Sequence, residues 1–138
     1  MIKIQNKHLK DAAEFLQNTI SAKGNENIHR MRVVKAINEK YESIAEEELI
    51  LLKEYANTDI NGELIKNESG GIEISDPYGF NKQHKELFDE YYIFDDKNLE
   101  SASQTVKRLV NDCDKELSGK EAEIHFILVE SFESNDNQ

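Results

Sequence analysis

The stretch from Asn27 to Asn57, NIHRMRVVKAINEKYESIAEEELILLKEYAN, contains neither Gly nor Pro. Apolar or aromatic residues fall at Met31, Val34, Ile37, Tyr41, Ile44, Leu51 and Tyr55. Steps of three, four and seven place them on one face of a helix. At the usual rise such a helix is roughly 45 Å long. A helix of that length with an apolar stripe is not stable alone, so other elements must cover it.

The upstream sequence supplies a candidate. Leu9, Ala13, Leu16 and Ile20 form a narrow seam, with Asn6 as the expected cap and Gly24 suited to the left-handed turn that ends the segment. The short connection predicts an antiparallel helical hairpin with the long helix. Ile2 and Ile4 alternate with Lys3 and Gln5 and predict a short strand.

Downstream, Asn61-Gly62 is a turn signal. Glu63–Lys66 and Ile72–Ile74 flank Asn67–Gly71 and predict a β-hairpin with a longer loop. Asp76-Pro77-Tyr78-Gly79 is a further turn, and Phe80–Glu90 a short helix. Tyr91–Phe94 is rich in strand formers and is expected to pair with the first strand or the hairpin. Leu99, Ala102, Val106, Leu109, Val110, Cys113 and Leu117 define an amphipathic helix, with Asn98 as its cap and Cys113 on its apolar face. Ser118–Glu121 is a capping box and favours a helix through about Phe132, with a strand over Ile124–Val129 as the alternative.

The fold class is therefore α+β, mainly α. It has a helical hairpin with a long central helix, a small β-hairpin or sheet, and C-terminal helices. The chain is expected to be one domain: strand and helical hairpin over 1–57, β-hairpin region over 58–79, helical half over 80–133, and a frayed tail over 134–138. No long internal repeat is visible.

The net charge is −11, with 33% charged and 38% hydrophobic residues. Such a field repels phosphates, so free nucleic acid is disfavoured and a partner with a basic surface favoured. One cysteine excludes an internal disulfide. No stretch approaches a membrane span, and the first residues lack the apolar core of a signal peptide, so a cytoplasmic protein is expected.

Candidate contact residues fall in two groups. The acidic runs Glu46-Glu47-Glu48 and Asp95-Asp96, the latter beside Tyr91 and Tyr92, form an expected partner-binding set, since aromatics beside charges recur at hot spots. His29, Arg30, Arg32 and Lys35 form a basic cluster suited to an anion or an acidic partner. Leu49-Ile50-Leu51-Leu52 covers a full helical circumference, and burial by the C-terminal half of the chain is expected, with contact to another protein as the alternative.

Glu39 and Glu42, then Glu86 and Asp89, match the carboxylate spacing by which all-α nucleoside-triphosphate pyrophosphohydrolases hold Mg²⁺. A Gly-rich hairpin separates the two pairs, so no metal, cofactor or catalytic residue is assigned. The four histidines form no ligand pair, and His84 and His125 fall among apolar residues.

The opening Ile2–Leu9, the Arg30-Met31-Arg32 entry to the Glu-rich helix, Leu52–Ala56 and Leu117–Ala122 resemble a family of small uncharacterised proteins encoded by tailed phages and prophages of Gram-positive bacteria. The resemblance implies a phage setting and an accessory role, and transfers no functional residue. The expected function is a non-enzymatic phage accessory protein, such as an acidic inhibitor of a host nuclease or anti-phage defence complex. A virion structural or assembly protein, with homo-oligomer contacts, is the alternative, and a Mg-dependent nucleotide hydrolase stands third.

Overall fold

The structure, a computed structural model, describes residues 1–136, with side chains through Phe132. The order is β1 (Ile2–Gln5), α1 (Leu9–Asn18), α2 (Asn25–Tyr55), α3 (Pro77–Asp89), β2 (Tyr91–Phe94), α4 (Glu100–Asn111) and α5 (Gly119–Asp136). The chain is mainly α with one small antiparallel sheet. It gathers into two compact units, one of residues 1–41 with 91–138 and one of residues 42–90.

In the first unit β1 pairs antiparallel with β2, Ile2 opposite Phe94 and Ile4 opposite Tyr92. α5 packs against β1, α1 and α4. The core holds Ile2, Ile4, Leu9, Leu16, Val33, Val34, Ile37, Val106, Val110 and Leu128, all essentially without solvent contact. Each such side chain contributes about 1.5–3 kcal/mol of burial. The alternative of a strand over Ile124–Val129 gives way to helix α5, whose Ile124 and Leu128 are buried four residues apart. α5 continues to Asp136, past the expected end near Phe132, and the frayed-tail expectation for Asn137 and Gln138 lies outside the described residues.

α2 is one helix, as its uninterrupted sequence predicts. Val33, Val34, Ile37 and Ile44 are its buried positions, while Met31 is 38% exposed. Met31 therefore leaves the predicted stripe and Val33 enters it. Gly24 sits at φ +57° in the turn before α2, the left-handed position expected of it. Asn6 does not cap α1; it is buried in a 3-10 turn over Asn6–His8.

The α1 C-terminus explains Arg30. Its Nη1 donates to the backbone oxygens of Leu16 (2.7 Å) and Gln17 (3.0 Å), and Nη2 donates to Asn27 Oδ1. These carbonyls are among the four that an α-helix leaves without an internal partner. One guanidinium nitrogen serves both carbonyls while the other, fixed in the same plane, is held by Asn27.

In the second unit the predicted hairpin is a tighter object, held by isolated bridges Ala56↔Ile74, Thr58↔Leu64 and Lys66↔Ile72. Asn57 N–H donates to the Glu73 carbonyl (2.9 Å), Glu73 N–H to Ile65 (2.9 Å), and Ile65 N–H to Asn57 (3.1 Å). Three passes of chain thus close a ring, and its corners are spaced by eight residues. The turns between them repeat too. Asp59 Oδ1 accepts from the backbone N–H groups of Asn61 and Glu63, and Asn67 Oδ1 from those of Ser69 and Gly71. Gly62 (φ +79°) and Gly70 (φ +84°) occupy matching positions, where a side chain would be strained. A short eight-residue repeat is therefore present where no long one was visible. Asp76 then caps α3, with Pro77 at its first position, so the predicted turn is the start of the helix.

Replacing Arg30 with Ala should cost about 1–3 kcal/mol of stability, because the carbonyls it serves lose their donor. Arg32→Ala, at an exposed position, should stay within about 0.5 kcal/mol. Urea unfolding of both variants checks this; equal effects would contradict it.

Candidate protein-interaction site

The basic cluster divides. Arg30 is committed to α1, and His29 Nδ1 lies 2.7 Å from Thr105 Oγ1 on α4. Only Arg32 and Lys35 of the cluster are exposed. The expected anion contact therefore reduces to those two side chains.

The acidic and aromatic set also divides. Tyr91 (59% exposed) and Tyr92 (39%) belong to the first unit. The Lys3 ammonium stands 4.9 Å from the Tyr91 ring centre and the Lys40 ammonium 4.2 Å from that of Tyr92. Both rings thus already hold a cation of this chain. Asp96 Oδ1 accepts from Asn98 N–H and caps the turn before α4, so Asp96 replaces Asn98 as the cap. Asp95 is exposed and lines a small cavity with Met1, Phe94, Asp96, Lys97, Glu100 and Ser103.

Glu46, Glu47 and Glu48 belong to the second unit and face three ways. Glu46 is exposed. Glu48 Oε2 lies 2.7 Å from His84 Nε2 and ties α2 to α3. The His84 ring stacks on Phe88 (4.5 Å between centres) and touches Phe80 (5.3 Å), while Phe80 meets Tyr55 edge-on. Glu47 lines a groove.

That groove was not legible as a site. It has a volume of 240 Å³ and lies between α2 and α3, lined by Glu47, Ile50, Leu51, Glu54, Gln83, Glu86, Leu87 and Glu90. The four glutamates are exposed and Leu51 and Leu87 half-buried, so an apolar floor carries an acidic rim. Ile50 is 62% exposed, and the expected burial of Leu49–Leu52 is thus incomplete: Leu49 and Ile50 face solvent. A signal was available. Positions 47, 50, 51, 54 and 83, 86, 87, 90 share one spacing, the i, i+3, i+4, i+7 step of a helix face.

The carboxylate pairs that match a Mg²⁺ spacing do not assemble. Asp89 takes an ion pair with Lys85, whose ammonium is held protonated above its ordinary value by that hydrogen bond. Glu86 belongs to the groove rim, and Glu39 and Glu42 are exposed. Among the described residues no three His, Cys, Asp or Glu side chains converge as a metal ion would need. Cys113 is free and half-buried beyond the end of α4, not on the helix face assigned to it. His125 Nε2 lies 2.9 Å from the Val110 carbonyl and its ring meets Phe15, the boundary role its apolar neighbours predict.

A second cleft, 280 Å³, is lined in the first unit by Lys3, Gln5, His8, Tyr91, Phe126, Glu130 and their neighbours. Burial pushes the His8 imidazole below its ordinary value and Lys7 adds to this, while Glu123 and Asp11 oppose. Its lining mixes both charge signs, unlike that of the α2–α3 groove.

Comparison of the chain with family models, with curated proteins and with solved structures returns no match. Among the described residues no helix is long and apolar enough to cross a membrane.

His84→Ala removes the ring contacts and the link to Glu48 together. It should loosen α3 by about 1–2 kcal/mol, since ring pairs contribute about 0.5–1.5 and partly exposed ion pairs about 0–1. Glu48→Gln should cost less, because the stacked rings remain. Amide exchange across α3 reads both; a larger effect from Glu48→Gln would contradict the packing.

Proposed function

We propose that this protein works by binding another protein, without a reaction of its own, and that its partner presents a basic surface. The carrying observation is the α2–α3 groove, an apolar floor ringed by Glu47, Glu54, Glu86 and Glu90. Charged residues around an apolar centre are the arrangement of an interface core and rim. The sign of the rim selects a cationic partner and speeds the encounter. The dimensions suit one face of an amphipathic helix carrying Leu or Ile between Lys or Arg residues.

The net charge of −11 extends the same selection over long range. A host nucleic-acid-binding protein, such as a nuclease or a defence complex, has the basic surface this requires. The resemblance to phage-encoded proteins supports that setting, in the host cytoplasm, and an inhibitory role. A role in virion assembly is the second reading, favoured by the exposed Leu49 and Ile50.

A helical peptide of alternating Leu and Lys character should bind, measured by calorimetry, and weaken as salt rises. Ile50→Lys combined with Glu86→Lys should abolish that binding. At stoichiometric amounts the protein should inhibit a basic host nuclease, and the same variant should not. Failure to bind any cationic helix, or equal binding by the variant, would overturn the reading.

A further inference from the structure

The cleft in the first unit shares no residue with the α2–α3 groove, whose lining belongs to the second. One wall is a face of α5. Phe126 and Glu130 stand four residues apart on it, as do Ile127 and Ser131. The other wall comes from the sheet. Lys3 and Gln5 lie on one face of β1, and Tyr91 of β2 pairs opposite Gln5. Buried Ile4 and half-buried His8 complete the lining.

The fold leaves three of these side chains without a structural task. Phe126 is 62% exposed and has no ring or cation partner among the described residues, whereas Tyr91 already carries Lys3. Glu130 is exposed and forms no ion pair among the described residues. The Lys3 ammonium rests on a ring and on no described carboxylate. Burial, with Lys7 adding to it, holds the His8 imidazole below its ordinary value, so it is uncharged at neutral pH. The formal charges of the lining, Lys3 and Glu130, then cancel.

A ligand matched to this lining is flat and apolar on its faces, bears hydrogen-bond groups on its edge and has no net charge. A volume of 280 Å³ is at the small end for a ligand cleft and suits one ring system. Ionised Glu130 only accepts, and its two oxygens can take two parallel N–H groups, while Lys3 only donates. Guanine offers that set: N1–H and N2–H side by side, with O6 and N7 as acceptors beyond them. Adenine places an acceptor, N1, beside its N6 donor, and a carboxylate repels that lone pair.

We propose that this cleft binds guanine as the free base or nucleoside. Phe126 stacks on the base, Glu130 accepts from N1–H and N2–H, and Lys3 donates to O6. Guanine carried on a phosphate strand is opposed by the net charge of −11.

The test titrates the full chain with guanosine, followed by amide shifts in NMR. Gln5, Tyr91, Phe126 and Glu130 should move, and Ile50 and Leu87 of the groove should not. Adenosine should bind at least tenfold more weakly. Glu130→Gln sets an amide that both donates and accepts against the base edge. It should weaken guanosine at least tenfold and shift the preference toward adenosine, a change that a disturbed fold would not produce. Phe126→Ala should weaken both nucleosides alike. A short guanine-rich RNA strand should bind more weakly than guanosine. No guanosine binding at millimolar concentration would overturn the proposal. So would adenosine binding as tightly, a Glu130→Gln variant that keeps the guanosine preference, or a strand that binds more tightly than the nucleoside.

Discussion

The surfaces of α2 depend on the burial of Val33, Val34, Ile37 and Ile44. Val33, Val34 and Ile37 fix the rotation of the helix within the first unit, and Ile44 within the second. Once that rotation is fixed, the chemistry of its other faces follows from helix geometry. Glu47, Ile50, Leu51 and Glu54 fall together as one wall of the groove. That wall does not depend on a loop.

The groove rim is of one sign, so it discriminates among foreign partners by attraction or repulsion. Other charges are consumed inside the fold. Arg30 serves the end of α1, Glu48 holds His84, Lys85 holds Asp89, and Lys120 pairs with Asp11. A count of acids and bases from the sequence does not distinguish these internal uses from free surface.

The fold was largely legible because its signals are local and periodic. The long helix, the first strand, the left-handed Gly24 and the start of α5 near Gly119 each rest on residues close in sequence. Strand formers marked both β1 and β2 but left the partner of β2 open between the first strand and the hairpin; the structure selects β1. What the sequence hid was set by contacts between distant positions. Arg30 looked like a free cation because its partners, Leu16 and Gln17, are backbone carbonyls without a sequence signature. The ring through Asn57, Ile65 and Glu73 was hidden for the same reason, since backbone hydrogen bonds carry no side-chain code. The expected partner-binding set drew Glu46–Glu48 together with Tyr91–Asp96 by composition, whereas Glu48 and Asp96 have local structural duties and Tyr91 and Tyr92 carry lysines. The groove was overlooked because its two walls lie far apart in the chain, although each shows the same helical spacing.

The groove requires α2 to hold its helical spacing through Glu47–Glu54. Hydrogen exchange resolved along residues 44–55 tests this most directly. The account predicts a protected block running through Glu47–Leu51, with protection falling only toward Tyr55. Rapid exchange centred on Leu49–Leu51 would remove the wall on which the groove rests.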